Sequence, residues 1–266
     1  MSVPDYLLID ISNSFTKLVS ATRDALLGAS IRIPTPKLTA AAIRQAVGKG
    51  PFCKGIILSS VVPDAEAGVE EFAESLCTAF CGERAARPRL LRVSHKIKLG
   101  VAVDYPKPSS IGADRLANAA GAVAFFGAPA IVIDFGTAVT FDVLAAPKGI
   151  PTYVGGVIAP GLEVMTDYLY QRTALLPRIN LKEPVKAIGK STVDAMLAGA
   201  VYGYRGLVRQ ILEEIRRELK TGRRLQTVAT GGYAELIAER LPEVQQVHSN
   251  LTLEGLRIIG NLNLRD

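Results

Sequence analysis

Two aspartates in this chain each close a short apolar run and stand directly before a small polar turn. Asp10 follows residues 7–9 and precedes Ile-Ser-Asn-Ser, and Asp134 follows residues 131–133 and precedes Phe-Gly-Thr-Ala. A carboxylate at such a position is costly to bury without a partner. A pair of them can hold a cation that neutralises the charge of a transferred phosphate. One such aspartate is equally well a turn former, but the repetition favours phosphate and cation binding.

Short donors surround both turns. Asn13, Ser14, Thr16 and Lys17 lie at the first turn, and Thr137 lies at the second. Backbone N–H groups and hydroxyls in such turns bind phosphate oxygens, and Lys17 adds a positive charge. The same groups occur in ordinary hairpins, so the residues alone leave that alternative open.

A second set of candidate catalytic groups begins an alanine-rich stretch. Asp114 and Arg115 follow Ile-Gly-Ala at residues 111–113. An aspartate in a first helical turn is commonly a cap or a partner of the helix dipole. The alternative is that Asp114 takes the proton of an attacking hydroxyl while Arg115 binds a carboxylate or phosphate. The residues alone do not decide between them.

Two later segments suit either binding or plain structure. Ser191 and Asp194 have the spacing of a capping box, which predicts a helix start and leaves Thr192 available for another role. Gly231 and Gly232 predict either a tight turn or a close approach of a ligand to the backbone. The chain has no Gly-x-x-x-x-Gly-Lys-Ser/Thr loop and no Gly-x-Gly-x-x-Gly after a strand, which excludes the P-loop and Rossmann classes.

The two acid-ended turns require two similar secondary-structure units to position them. Each acid-ended run continues past its turn into a second apolar run, at residues 15–19 and 139–143, which predicts a β-hairpin used twice. Alternating strand-like and helix-like segments predict mixed sheets flanked by helices. The predicted helices cover residues 38–47, 64–80, 161–171 and 192–219. The turn-rich segment at residues 104–112 predicts a boundary between domains at residues 1–115 and 116–266.

Composition narrows the possible partners. The 266 residues are 48% hydrophobic, which suits a compact protein with an ample core. The net charge is +6, but most basic residues alternate with acids and the chain has no Trp for base stacking, so no nucleic-acid partner is expected. Only residues 84–98 keep that alternative open. Glycine and proline interrupt the apolar stretch at residues 116–133, so no membrane span is predicted.

Cysteine and histidine content bears on metals and compartment. The cysteines are Cys53, Cys77 and Cys81, and the histidines are His95 and His248. No zinc spacing can be built from this set. The odd cysteine count and the absence of a signal sequence predict a reduced, cytoplasmic setting.

Several segments together resemble type III pantothenate kinases, also known as the Bvg accessory factor family, of the acetate kinase, Hsc70 and actin superfamily. The segments are residues 10–17, 59–63, Tyr105 with residues 112–115, and residues 134–140, 155–162, 174–177 and 191–192. The resemblance implies an α/β protein of two related RNase H-like (actin-like) domains with an inter-domain cleft.

The resemblance also implies ATP-dependent phosphorylation of pantothenate, the first step of coenzyme A synthesis. It implies that Asp114 is the general base and that Asp134 binds a monovalent cation, K⁺ or NH₄⁺, beside the Mg²⁺ of ATP. The implied ATP contacts are Asp10, Ile11, Ser12, Asn13, Ser14, Phe15, Thr16, Lys17 and Thr137. The implied pantothenate contacts are Tyr105, Gly112, Ala113, Asp114, Arg115 and Thr192. It further implies a homodimer in which Thr192 serves the partner's site.

The first loop departs from the family pattern. The family usually reads Asp-x-Gly-Asn-Thr, and here Ser12 and Ser14 replace the glycine and the threonine. Ser14 keeps a hydroxyl. Ser12 adds a side chain where backbone and phosphate come close, which predicts weaker ATP binding or a changed nucleotide preference. Two other functions stay open at this point: a kinase of another small hydroxy acid, and a non-catalytic regulatory protein of the same fold.

Overall fold

The chain folds into two compact α/β units. The structure is a computed structural model that describes residues 4–48, 54–79, 88–220 and 225–264. Unit 1 comprises Met1–Phe125 and Leu251–Asp266, and unit 2 comprises Phe126–Asn250. The elements are, in chain order, β1 (Tyr6–Ile11), β2 (Phe15–Ala21), β3 (Leu26–Pro34), α1 (Ala40–Val47), β4 (Gly55–Ser60), α2 (Ala67–Ala79), β5 (Arg89–Arg92), β6 (Ala102–Val103), α3 (Ala113–Phe126), β7 (Ala130–Phe135), β8 (Ala138–Ala145), β9 (Thr152–Pro160), α4 (Leu162–Arg172), α5 (Thr192–Leu219), β10 (Gln226–Gly231), α6 (Ala234–Ala238), β11 (Gln246–Val247) and α7 (Leu251–Asn263).

Unit 1 has a mixed sheet with strand order β3-β2-β1-β4-β5. The β2 strand is antiparallel to β1 and β3, and β4 is parallel to β1 and β5. Side chains alternate between the faces of a strand, so Ile9 and Ile11 of β1 face one way and pack with Ile43 of α1 and Phe72 of α2. The α7 helix lies against β1 and β4. Helices therefore pack against β1, the strand that carries Asp10.

Unit 2 has a mixed sheet with the order β9-β8-β7-β10-β11. Again the second strand is antiparallel to its neighbours and the fourth is parallel to its neighbours. Ile133 and Phe135 of β7 pack in a core with Val201 and Tyr204 of α5. The strand order of unit 1 is thus repeated in unit 2, which confirms the duplicated hairpin and the mixed α/β architecture predicted from the sequence.

The long helix α5 confirms a second prediction, since it covers Thr192–Leu219. Its N-cap is Ser191, whose Oγ accepts a hydrogen bond from the Asp194 N–H at 3.1 Å. A serine at this position satisfies one of the N–H groups that a helix start leaves without an intrahelical acceptor. The capping role predicted for Ser191 is therefore confirmed.

The division into units differs from the boundary predicted after residue 115. The α3 helix is continuous from Ala113 to Phe126, so a boundary at residue 115 would cut its first turn. The α7 helix packs against α3: the Thr252 hydroxyl donates to Asn118 Oδ1 at 2.8 Å, and a Cβ on Gly255 would lie 1.9 Å from the Ala117 carbonyl oxygen. This close packing places the C-terminal helix in unit 1.

Some sequence predictions lie outside the described residues. They concern Cys53, Cys81, residues 84–87 of the basic stretch and the side chain of Cys77. Within the described ranges, no helix has the length and the apolar character needed to cross a membrane.

An ion pair fastens the long loop between α4 and α5. Arg205 of α5 is 5% exposed and donates to both carboxylate oxygens of Glu183, at 3.0 and 2.7 Å. It also donates to the carbonyl oxygens of Leu236 and Ile237, and Arg240 lies 3.3 Å from Glu183. The hydrogen bond from Arg205, followed by the charges of both arginines, lowers the pKa of Glu183 against the opposing effect of desolvation.

Replacing Glu183 by glutamine should lower the free energy of unfolding by about 1 kcal/mol at neutral pH, because a charged hydrogen bond is lost at a partly exposed site. The folded-state pKa is lowered, so the contribution of Glu183 is complete above the ordinary carboxyl pKa and is lost as pH falls through the lowered value. Urea unfolding of wild type and Glu183→Gln at neutral and acidic pH measures this. A difference that does not shrink in acid would contradict it, and Glu213→Gln, which breaks an exposed pair with Arg217, should have little effect at either pH.

Candidate active site

Asp10 lies next to the end of β1 and is 3% exposed. Ser59 Oγ, on the parallel strand β4, donates to Asp10 Oδ1 at 2.9 Å, and Ser12 Oγ donates to Asp10 Oδ2 at 3.3 Å. Lys17 of β2 pairs with Asp10 in the sheet register, and directly paired residues share a face. Two hydroxyl groups therefore fix both oxygens of the buried acid, and Lys17 lies on the neighbouring strand at the paired position.

Asp134 has the equivalent position next to the end of β7 and is half-buried. In the sheet register it pairs with Thr140 of β8 and Thr230 of β10. Gly231 follows Thr230 with a φ of +92°, and a Cβ built there would lie 2.5 Å from Asp134 Oδ1. The same Cβ would lie 2.6 Å from the Phe135 nitrogen, so Gly231 is required by the close approach of both the Asp134 carboxylate and the Phe135 backbone. Gly232 has open space around it.

The two hairpin turns place their donors at the surface. Asn13, Ser14 and Phe15 of the first turn are exposed, and so is Thr137 of the second. Thr16 is fully buried, and Lys17 is half-buried. The predicted phosphate-binding residues of each turn thus lie together, directly after the strand that ends in an acid.

Asp114 is half-buried in the first turn of α3. Its Oδ1 accepts from the Arg115 N–H at 2.8 Å, so the local helix-start role is present. A Cβ on Gly112 would lie 2.4 Å from that same oxygen and 3.4 Å from Val61 Cγ1. The Val61 N–H donates to the Ile11 carbonyl at 3.0 Å. Within unit 1, Val61 therefore bridges the end of β1 and the segment that carries Asp114.

The other predicted substrate contacts occupy varied positions. Ala113 is buried, and Tyr105 and Arg115 are half-buried in unit 1. Thr192 is exposed in unit 2, as the first residue of α5. Among the described residues, no group of three or more His, Cys, Asp or Glu side chains forms a ready-made metal cluster.

Comparison with known proteins decides the family. A sequence profile described as type III pantothenate kinase matches residues 6–214. The chain belongs to this family. The type III pantothenate kinase of Akkermansia muciniphila is 46% identical over 260 residues, which cover 97% of this chain and 99% of that protein. The type III pantothenate kinase of Methylacidiphilum infernorum is 40% identical over 259 residues, which cover 97% and 89%.

The fold has a solved counterpart among actin-like proteins. An archaeal actin homolog superposes with a TM-score of 0.50 at 14% identity and covers 96% of this chain and 99% of its own. The actin-like fold class predicted for this pantothenate kinase family member is confirmed. Each of its two units contains one acid-ended hairpin.

Sequence reasoning missed three groups that shape these turns. Thr230 was missed because its pairing with Asp134 joins strands almost a hundred residues apart, and only the register of β10 shows it. Thr35 and Gly161 were missed because they follow the ends of β3 and β9, two strands whose pairing the hydrophobic pattern did not predict. The signal that was available is that each follows a proline, Pro34 or Pro160.

The Gly231-Gly232 pair offers a matched test of this packing in the kinase. Gly231→Ala should lower the free energy of unfolding by about 1–3 kcal/mol, because the new Cβ meets the Asp134 carboxylate and the Phe135 backbone at a positive φ. Gly232→Ala, with open space, should change it by less than about 0.5 kcal/mol. Urea unfolding of both variants provides the comparison. Equal effects would show that Gly231 is not needed for the position of Asp134.

Proposed function

We propose that this protein transfers the γ-phosphate of ATP to the primary hydroxyl of pantothenate, the first committed phosphorylation toward coenzyme A. The family match over residues 6–214 supports this reaction. The structural observation that carries it is the half-buried Asp114 carboxylate at the start of α3, with Gly112 leaving room for one of its oxygens. An acid kept partly exposed beside a glycine can approach a substrate hydroxyl directly.

In this proposal Asp114 is the general base. Its carboxylate takes the proton of the pantothenate hydroxyl as that oxygen bonds to the γ-phosphorus. The bond from the γ-phosphorus to its bridging oxygen breaks, and ADP leaves with that oxygen. Tyr105, Gly112, Ala113, Arg115 and Thr192 would contact pantothenate, with the guanidinium of Arg115 suited to its carboxylate.

The first turn and its strand would bind the ATP phosphates. The exposed backbone and side chains of Asn13 and Ser14 offer donors, Lys17 offers a positive charge, and Asp10 offers a carboxylate toward the Mg²⁺ of ATP. The Ser12 hydroxyl donates to Asp10 Oδ2 and would orient the Asp10 carboxylate toward the Mg²⁺. Thr137, exposed in the second turn, would add a contact to ATP.

Asp134 would hold the monovalent cation, K⁺ or NH₄⁺. Its half-buried carboxylate stands in register between Thr140 and Thr230, and oxygen ligands of this kind suit hard cations. The chemistry such an ion supplies is neutralisation of phosphate charge. The residues that position it are Gly231, which leaves space for Oδ1, and the two threonines beside it.

A homodimer through α4 and α5 is the proposed assembly. The α4 side chains Met165, Tyr168 and Leu169 are 41%, 57% and 43% exposed, and they line an apolar groove of about 730 Å³ with Met196 and Gly199 of α5. Leu162, the other apolar residue in this spacing, is 2% exposed and belongs to the core. Exposed apolar side chains grouped on one face are typical of an interface, and self-association would cover them in this family member. ATP as substrate and an odd cysteine count support a cytoplasmic setting.

Pantothenate-dependent ADP release with Mg²⁺ and K⁺ tests the reaction. Asp114→Asn should lower kcat by about 10²–10⁴-fold, because the amide cannot accept the proton. Asp24→Asn, at an exposed aspartate in the turn between β2 and β3, should leave kcat unchanged. Wild-type release that does not depend on pantothenate would contradict the substrate, and full activity in Asp114→Asn would contradict the base.

The cation proposal has its own readout. Asp134→Asn should raise the K⁺ concentration needed for half-maximal activity by about tenfold or more, because a neutral amide binds a cation more weakly than a carboxylate does. Initial rates over a K⁺ series at constant ionic strength, with Na⁺ as the balancing ion, measure this. An unchanged K⁺ requirement in the variant would contradict a cation at Asp134.

Leu169→Arg tests the dimer. A charge placed in the apolar groove should shift the protein to a monomer, since an unpaired charge is strongly disfavoured in an interface. Sedimentation equilibrium measures the mass, and the variant should also need more pantothenate if Thr192 acts across the interface. Ile31→Arg, at an equally exposed apolar residue of unit 1, is the control and should stay dimeric. A wild-type monomer, or a dimeric Leu169→Arg, would contradict this interface.

A further inference from the structure

A threonine that follows β3 donates two hydrogen bonds to the backbone of the first turn. Thr35 follows the end of β3 and is 5% exposed. Its Oγ1 donates to the Ser12 carbonyl at 2.6 Å, and its N–H donates to the Ser14 carbonyl at 3.1 Å. One residue therefore bonds to the backbone of the turn on both sides of Asn13.

The two hydrogen bonds from Thr35 to the first turn form a brace, and a second hydroxyl extends it. Thr16 Oγ1 lies 3.1 Å from Thr35 Oγ1 in a fully buried position. A hydroxyl has one proton to donate. Since the Thr35 proton goes to Ser12, Thr16 must donate to Thr35. The proton order Thr16 to Thr35 to the Ser12 carbonyl is thus fixed by the geometry.

The equivalent turn in unit 2 accepts a similar hydrogen bond, but from a backbone N–H group alone. Pro34 pairs with Phe15, and Pro160 pairs with Ala138, so Thr35 and Gly161 follow equivalent strand ends. The Gly161 N–H donates to the Thr137 carbonyl at 3.0 Å. A Cβ on Gly161 would lie 2.4 Å from the Gly136 carbonyl oxygen.

The comparison of the two turns separates what they share from what differs. Both have a backbone N–H from the residue after the third strand. In unit 2 the backbone comes so close that no side chain fits, whereas in unit 1 the gap is wide enough for a threonine, and the threonine hydroxyl spans it. The hydroxyl therefore restricts the backbone conformation of the first turn.

We propose that Thr35 is a positioning residue for nucleotide binding: it fixes the backbone of residues 12–14 so that the N–H groups of Asn13 and Ser14 keep the geometry that ATP phosphates require. This inference rests on the proposed function, because it takes the first turn as the phosphate site. Thr35 lies beneath the turn and acts through Ser12 and Ser14. Its loss should weaken ATP binding and leave the pantothenate site unchanged.

Three variants isolate the hydroxyl. Thr35→Val keeps the shape and removes the donor, which leaves the half-buried Ser12 carbonyl and the buried Thr16 hydroxyl without this partner. Thr35→Ser keeps the hydroxyl and removes a methyl group. Thr22→Val removes a hydroxyl that bonds to Ala25 in the turn at the opposite end of β2, and it serves as the matched control.

Steady-state kinetics should separate positioning from general destabilisation. Thr35→Val should raise the KM for ATP by about fivefold to twentyfold, with the KM for pantothenate within about twofold of wild type. Thr35→Ser should restore the KM for ATP, and Thr22→Val should leave both constants unchanged. Equal increases in both KM values, or a serine variant as impaired as the valine variant, would overturn the proposal.

Amide hydrogen exchange of the nucleotide-free protein gives a readout that needs no turnover. Residues 12–15 should exchange at least about fivefold faster in Thr35→Val than in wild type, Thr35→Ser or Thr22→Val, with the exchange of α7 unchanged. Unchanged exchange in the valine variant would overturn the brace. If the variants show this exchange pattern but the wild-type protein shows no pantothenate-dependent ADP release, the proposed function is overturned and the role of Thr35 in the turn is retained.

Discussion

A carboxylate near the end of a buried strand must be given polar neighbours and space, and the candidate site is organised around that requirement. Asp10 obtains both from hydroxyls, since Ser59 and Ser12 donate to its two oxygens. Asp134 obtains space from Gly231, where no side chain fits. Asp114, at a helix start, obtains space in the same way from Gly112. Leaving the buried Asp10 without such neighbours would cost several kilocalories per mole, whereas Asp134 and Asp114 are only half-buried.

The repeated sheet topology explains why these acids fall where they do. In unit 1 the acid lies on β1, the antiparallel strand β2 follows the polar turn, and the parallel strand β4 presents Ser59 beside the acid. In unit 2 the corresponding strands are β7, β8 and β10, and β10 presents Thr230. The carboxyl end of a parallel strand pair is where ligands bind in open α/β sheets. Two copies of this arrangement make two turns suited to phosphate, and the two copies differ in detail, with Thr35 beneath one turn and Gly161 beneath the other.

Local pattern predicted the elements whose signals lie within a few residues. The hairpins, α5 and its Ser191 cap follow from apolar runs, helical spacing and capping chemistry, and all of them are present. The β3 strand gave no such signal because it is half-exposed along its length and mixes Gly28, Ser30 and Arg32 with apolar residues. The place of α7 in unit 1 depends on contact with α3, more than a hundred residues earlier, and no local pattern records such a contact. Asp10 and Asp134 could be named from sequence because they repeat, whereas Thr230 and Thr35 could not, because only strand register brings them to the acids and turns.

Amide hydrogen exchange with and without a non-hydrolysable ATP analogue and Mg²⁺ tests the central claim most directly, because it reports on each turn separately and needs no turnover. If the acid-ended hairpins are the phosphate sites of this pantothenate kinase family member, the nucleotide should slow exchange at residues 12–15 and at residues 136–138. Bound nucleotide that leaves both turns unprotected would contradict the account and place the phosphates elsewhere on the protein.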